Sequence, residues 1–180
     1  MQRQNFVKLS SYNGSDAAAI FTFELQTDLS TFIQLLRHRA NFSTIGDPFV
    51  RIEPHPGTDF YLPEDFPEEL VQETGKYLEN TRSYCESLVK MISPQLGQAR
   101  AAELAAGLLP LAFQIQFSMC FFFKSFIRFL NLRYVESAPK EVYDVAYDML
   151  SQIRDTGVYN EVLKENGYDL LTLEQSRVTG

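Results

Sequence analysis

Residues 111–121 read Leu-Ala-Phe-Gln-Ile-Gln-Phe-Ser-Met-Cys-Phe. Leu111, Phe113, Ile115, Phe117, Met119 and Phe121 alternate with Ala112, Gln114, Gln116, Ser118 and Cys120. Successive side chains leave an extended strand on opposite faces, so this alternation predicts a long strand with one strongly apolar face. A second alternating run, residues 20–26, sets Phe21, Phe23 and Leu25 on one side and predicts a half-buried strand. Whatever else the chain does, it must cover a row of phenylalanines on at least one strand.

The remaining periodic segments are helical. Asp28 offers an N-cap, and Leu29, Phe32, Ile33 and Leu36 follow at helical spacing. That short helix ends in Arg37-His38-Arg39, where positive charge suits the C-terminal dipole. Residues 41–67 hold Gly46, Pro48, Pro54, Pro56, Gly57, Pro63 and Pro67, a density that forbids a long helix. Phe42, Phe49, Phe60 and Tyr61 in that stretch predict a loop that packs on something. Pro67 then opens a helix with Glu68 and Glu69 in its first turn. Leu70, Val71, Tyr77, Leu78, Tyr84, Leu88, Val89 and Ile92 read as one amphipathic stripe running to about Ser93. Residues 98–109 form an alanine-rich helix closed by Pro110. Residues 124–133 form another, with Phe126, Ile127 and Leu130 apolar and Lys124 and Arg128 on the polar side. Residues 140–154 form a third through Val142, Val145, Ala146, Met149, Leu150 and Ile153, and the tail beyond Asp155 holds one short helix. Few strands, long helices and no strict alternation between them predict an α+β fold, a small sheet with long helices, in a single domain over residues 1–180.

Composition narrows the function. The chain has 180 residues, 45% of them hydrophobic and 22% charged, which supports one packed domain and argues against disorder. Its net charge of −7 argues against coating nucleic acid. The richest apolar stretch, 108–123, is interrupted by Pro110, Gln114, Gln116 and Ser118, so no membrane span is expected. Cys85 and Cys120 belong to no CxxC pair, and the two histidines, His38 and His55, make no His-rich site. Asp47, Glu53, His55 and Asp59 match no ligand spacing, so no metal is expected. The opening residues MQRQNFVKLSS lack the apolar core of a secretory signal, which predicts a cytoplasmic protein with free thiols engaged in packing. No P-loop, Gly-rich dinucleotide fingerprint or Ser-His-Asp set is present.

Three segments, in this order, resemble the flavin-dependent thymidylate synthases. Ile20-Phe21-Thr22-Phe23 ahead of Arg37-His38-Arg39 resembles the family's strand and its Arg-His-Arg signature. Leu109-Pro110-Leu111, leading through a strand to Phe129-Leu130-Asn131-Leu132-Arg133, resembles its Leu-Pro strand and Asn-Leu-Arg helix. Ser137-Ala138-Pro139-Lys140-Glu141-Val142 lies where the family has Ala-Gln-Trp-Glu-Ile. The resemblance covers roughly residues 19–153. It implies a homotetramer with sites between subunits, FAD as hydride source, and methylenetetrahydrofolate and NADPH as companions. It implies that Arg37, His38 and Arg39 contact the flavin and that Arg133 holds the pyrimidine nucleotide. Lys124 stands where the family's Asn-x-Arg ends, and Lys124 and Arg128 join the cofactor-binding candidates; Ser43 and Arg51 join Arg133 as substrate-binding candidates.

The departures matter as much. After Arg-His-Arg the family continues x-x-Ser-x-Asn-x-x-Ser-x-Arg, whereas here Ser43 is one place late and Asp47 stands at the phosphate-binding serine. An acidic residue in a phosphate pocket is repulsive. The family's Glu-His pair is replaced by Ala17 and Ala18, its Arg before Leu-Pro by Ala106, and its Gln-Trp by Pro139-Lys140. The flavin triplet thus survives while most nucleotide contacts are gone. The expectation is a divergent flavoenzyme acting on a small molecule other than deoxyuridylate. The rivals are a true thymidylate synthase and a non-catalytic binding or assembly protein that kept the fold.

Overall fold

The computed structural model describes residues 6–14, 18–37, 60–63 and 65–168. In chain order these form β1 (Phe6–Asn13), β2 (Ile20–Asp28), α1 (Leu29–Leu36), α2 (Glu68–Leu96), α3 (Gln98–Ala106), β3 (Gln114–Phe122), α4 (Phe123–Arg133), α5 (Lys140–Asp155) and α6 (Asn160–Glu165). The strands make one antiparallel sheet with β2 in the middle, in the order β1-β2-β3. The fold is α+β, as the patterning predicts.

Contacts divide the chain into two compact units. One contains Val7–Leu25 and the chain from Ser118 onward; the other contains Gln26–Arg37 and the described residues that follow as far as Phe117. In the first, Phe21, Phe23 and Phe121 supply the sheet's apolar face, and Phe123, Phe126, Phe129 and Leu130 come down on it from α4. Phe21 meets Phe126 at 5.6 Å and Tyr159 at 4.9 Å edge to face, and Phe121 lies tilted against Phe129 at 5.2 Å. α5 buries Val142, Val145, Ala146, Met149, Leu150 and Ile153, the six residues its helical spacing singles out. Each of these side chains larger than Ala146 contributes about 1.5–3 kcal/mol on leaving water.

β1 is an element the alternation did not announce. Most of its residues are exposed on both faces, so no apolar period marks it. The signal that was there is Asn13-Gly14: Gly14 has φ +92°, and a Cβ on it would lie 2.8 Å from the Ala18 carbonyl oxygen. A side chain on α5 mimics a neighbouring strand for β1. Gln152 Oε1 accepts from the Leu9 amide at 2.6 Å, and Gln152 Nε2 donates to the Val7 carbonyl at 3.0 Å. Gln152→Leu is therefore expected to cost about 1 kcal/mol and to speed amide exchange at Leu9. Unchanged exchange there would show that the pair does not hold the edge.

In the other unit, Asp28 caps α1. Its Oδ1 accepts from the Thr31 amide at 3.0 Å and its Oδ2 from the Thr31 hydroxyl at 2.6 Å, all buried. α1 stops at Leu36 with Arg37 as its C-cap. α2 departs from its single expected stripe. Val71, Leu78, Cys85 and Val89 face inward onto two small clusters, one with Ala101 and Ala105 of α3 and one with Leu62 and Phe113. Leu70, Tyr77 and Tyr84 are exposed instead. Adjacent helical positions lie about 100° apart, so two neighbouring heptad rows cannot share one contact face. The helix also runs through Pro94 to Leu96 and ends at Gly97, whose φ is +80°. α3 ends at Ala106 rather than at 109, and β3 starts at Gln114, because Pro110 heads a turn in which the Phe113 amide donates to the Pro110 carbonyl.

Candidate functional site

α4 carries three of the cations marked by the sequence. It grows directly out of β3, its first amide donating to the Ala19 carbonyl at 2.8 Å, so the sheet fixes where the helix starts. Its apolar residues anchor one side in the phenylalanine core. Lys124 and Arg128 are exposed and one turn apart, on the same stripe, with about 5–6 Å between Cβ atoms at such spacing. Arg133 lies in the last turn, half-buried, about 140° around the helix from Arg128. The cofactor candidates and the substrate candidate of this helix therefore project in different directions.

Beyond Arg133 stands a group of tyrosines that the sequence reading missed. Tyr134, the C-cap of α4, stacks on Tyr143 at 4.8 Å and on Tyr147 at 6.2 Å, and lies tilted against Tyr168 at 6.4 Å. The Tyr168 hydroxyl donates to Asn131 Oδ1. Burial pushes the Tyr168 phenol up to about 12, so near neutrality it is a proton donor and not a base. The signal was legible: Tyr143 and Tyr147 stand four apart on α5, one turn on the same face. The stack fixes the end of α4 and hence the root of Arg133.

Arg37 belongs to the other unit, exposed at the end of α1. That unit also contains a ladder of glutamine amides on the polar face of the sheet. Gln26 Nε2 donates to Gln114 Oε1 at 2.8 Å, and Gln116 Nε2 donates to Gln26 Oε1 at 3.1 Å. Gln114 is 2% exposed, and its Nε2 has no hydrogen-bond partner among the described residues. Among the remaining candidates, His38, Arg39, Ser43 and Arg51 lie outside the described residues, as do Asp47, Glu53, His55 and Asp59. The described cysteines offer no nucleophile in Cys85: it is buried, and desolvation raises its thiol above the usual range. Among the described residues no helix is long and apolar enough to cross a membrane.

A family model for the thymidylate synthase complementing protein matches residues 17–156. The chain belongs to the thymidylate synthase complementing protein family. The match begins after β1 and runs through the last turn of α5, so it contains the sheet's central strand, Arg37 and all of α4. Among solved structures, a UMP/dUMP methylase, PolB, from Streptomyces cacaoi, crystallised with 5-Br UMP, has the same fold, with a TM-score of 0.67. It is 16% identical, and the alignment covers 93% of this chain and 97% of that one. Sequence comparison with curated proteins finds no match. Family membership accounts for the ordered segments around Arg37, Leu109-Pro110 and Arg133.

Proposed function

We propose that the chain is a flavin-dependent enzyme of the thymidylate synthase type, carrying out methyl or alkyl transfer or reduction on a small molecule other than deoxyuridylate. The observation that supports this most is the family match across residues 17–156, which takes in Arg37, Lys124, Arg128 and Arg133 together. Of the donors, Lys124 and Arg128 present two exposed positive charges one turn apart, suited to the diphosphate of FAD, and Arg37, in the other unit, offers a planar fork of donors of its own. When bound, the flavin supplies the hydride chemistry. The protein's part is to bind and to orient. Lys124 and Arg128 would neutralise the cofactor's diphosphate; Arg37, His38 and Arg39 are assigned to the flavin by the family resemblance. Arg133, rooted by the tyrosine stack, would hold a carbonyl or carboxylate of a planar substrate, and Ser43 and Arg51 complete the candidate substrate contacts. Methylenetetrahydrofolate as carbon donor, NADPH as reductant, a homotetramer and a cytoplasmic setting belong to the same proposal.

A second reading, methylation of a uridine nucleotide itself, is favoured by the structural neighbour, a UMP/dUMP methylase. The first test of either is colour: purified protein should absorb near 450 nm, about the usual position for an oxidised flavin. Colourless protein that takes up no added FAD would remove both. Arg37→Ala and Arg39→Ala are each expected to weaken flavin binding roughly ten- to a hundredfold, since one charge-assisted contact to phosphate contributes about 1.5–3 kcal/mol. Fluorescence titration with FAD reads this directly. Equal affinity in the wild type and both variants would take the triplet out of the site.

A further inference from the structure

α2 carries a row of large apolar side chains that its own fold leaves in water. Leu70, Tyr77, Tyr84 and Met91 recur at every seventh position and are 45%, 63%, 57% and 62% exposed. A seven-residue repeat drifts only about 20° per heptad around a helix, so these four form one seam, spanning about 32 Å. Singly, such residues need no explanation; four in register along one line are what a second helix packs against. This seam is separate from the inward row of Val71, Leu78 and Cys85.

The polar neighbours indicate which helix fits. Glu69 and Lys90, both exposed, immediately precede Leu70 and Met91 at opposite ends of the seam. Three places after Leu70, Tyr77 and Tyr84 stand Glu73, Asn80 and Ser87. Suppose a second α2 runs antiparallel, with the two-fold axis beside Asn80 and Thr81. Leu70 then meets the partner subunit's Met91, and Tyr77 meets the partner subunit's Tyr84. Glu69 falls beside the partner subunit's Lys90, and symmetry repeats the pair. Glu73 faces the partner subunit's Ser87. Parallel pairing would instead set Glu73 against the partner subunit's Glu73 across the axis, a like-charge contact. Glu69 and Lys90 thus complement each other when α2 meets itself in reversed order.

We propose that the Leu70–Tyr77–Tyr84–Met91 seam is an interface between two copies of this chain, with the α2 helices packed antiparallel and registered by Glu69 against Lys90. This rests on the homo-oligomer reading given above and assigns it a surface. The test uses the full chain and light-scattering mass across a micromolar dilution series. Wild type should give a multiple of 20.6 kDa. The double variant Tyr77→Glu, Tyr84→Glu should fall to a smaller species with unchanged helicity, because both rings are exposed, and Met91→Lys should act in the same direction. Glu69→Lys and Lys90→Glu should each weaken association about tenfold, since two symmetry-related attractions become repulsions, and the double swap should restore it. A monomeric wild type would overturn the oligomer reading and this interface with it. An oligomer whose mass survives both the tyrosine substitutions and Met91→Lys would overturn the α2 interface alone. Dissociation by those variants without rescue by the double charge swap would overturn the antiparallel register.

Discussion

Phe126→Ala is expected to cost about 3–5 kcal/mol, the usual range for emptying a core phenylalanine site. The ring is fully buried, with centroids 5.6 Å from Phe21, 5.9 Å from Phe23, 5.7 Å from Phe121 and 6.3 Å from Phe129. It is the point where α4 meets both β2 and β3, so no single neighbour can move to fill the void. Against a total stability of about 5–15 kcal/mol, the loss takes a large share of the margin. A thermal midpoint lowered by roughly 6–20 °C would express it. Because Lys124, Arg128 and Arg133 ride on the same helix, flavin and substrate affinity should fall together in this variant. Phe126→Leu keeps most of the volume and should cost about 1.5 kcal/mol or less, leaving ligand binding near that of the wild type. A midpoint unmoved by Phe126→Ala would mean that α4 is positioned by something other than this ring cluster.

The elements that can be read from the sequence are those whose burial is one-sided. β2 and β3 alternate because one face meets helices and the other does not; α5 shows its buried residues because a single stripe is covered. Asp28 signals the start of α1 because capping is a local chemistry. β1 escapes because neither of its faces is covered well enough to impose a period, and its partner on the outer edge is a side chain, Gln152, from the far end of the chain. The two rows of α2 merge into one apparent stripe because apolar residues at neighbouring heptad positions look alike in the sequence, although one row is buried and the other exposed. At the candidate site, the family segments place Arg37, Lys124, Arg128 and Arg133 on named elements. The tyrosine stack behind Arg133 depends on α5 returning beside the end of α4, a tertiary fact, although its i, i+4 half was visible in Tyr143 and Tyr147.

Deoxyuridylate is expected to bind poorly, about two to four orders of magnitude more weakly than micromolar. The family pocket that the sequence resembles neutralises the nucleotide phosphate with arginines and a serine hydroxyl. In this chain the corresponding residues are Asp47 and, at the end of α3, Ala106. Alanine offers no donor, and an aspartate opposes a phosphate. Two missing charge-assisted contacts at about 1.5–3 kcal/mol each remove roughly 3–6 kcal/mol, or some two to four orders of magnitude in affinity. Arg133 remains, half-buried at the end of α4, and its guanidinium can still engage a carbonyl or carboxylate of a planar ring. A substrate carrying less charge than a nucleotide suits that remainder better. Isothermal calorimetry with deoxyuridylate on the flavin-loaded protein separates the cases, and Arg133→Ala serves as the control. Micromolar binding abolished by that substitution would mean that residues 41–51 rebuild a phosphate site by another route, and uridine-nucleotide methylation would become the leading assignment. Absence of heat with deoxyuridylate, together with intact flavin binding, would leave Arg133 as the handle by which to find the substrate.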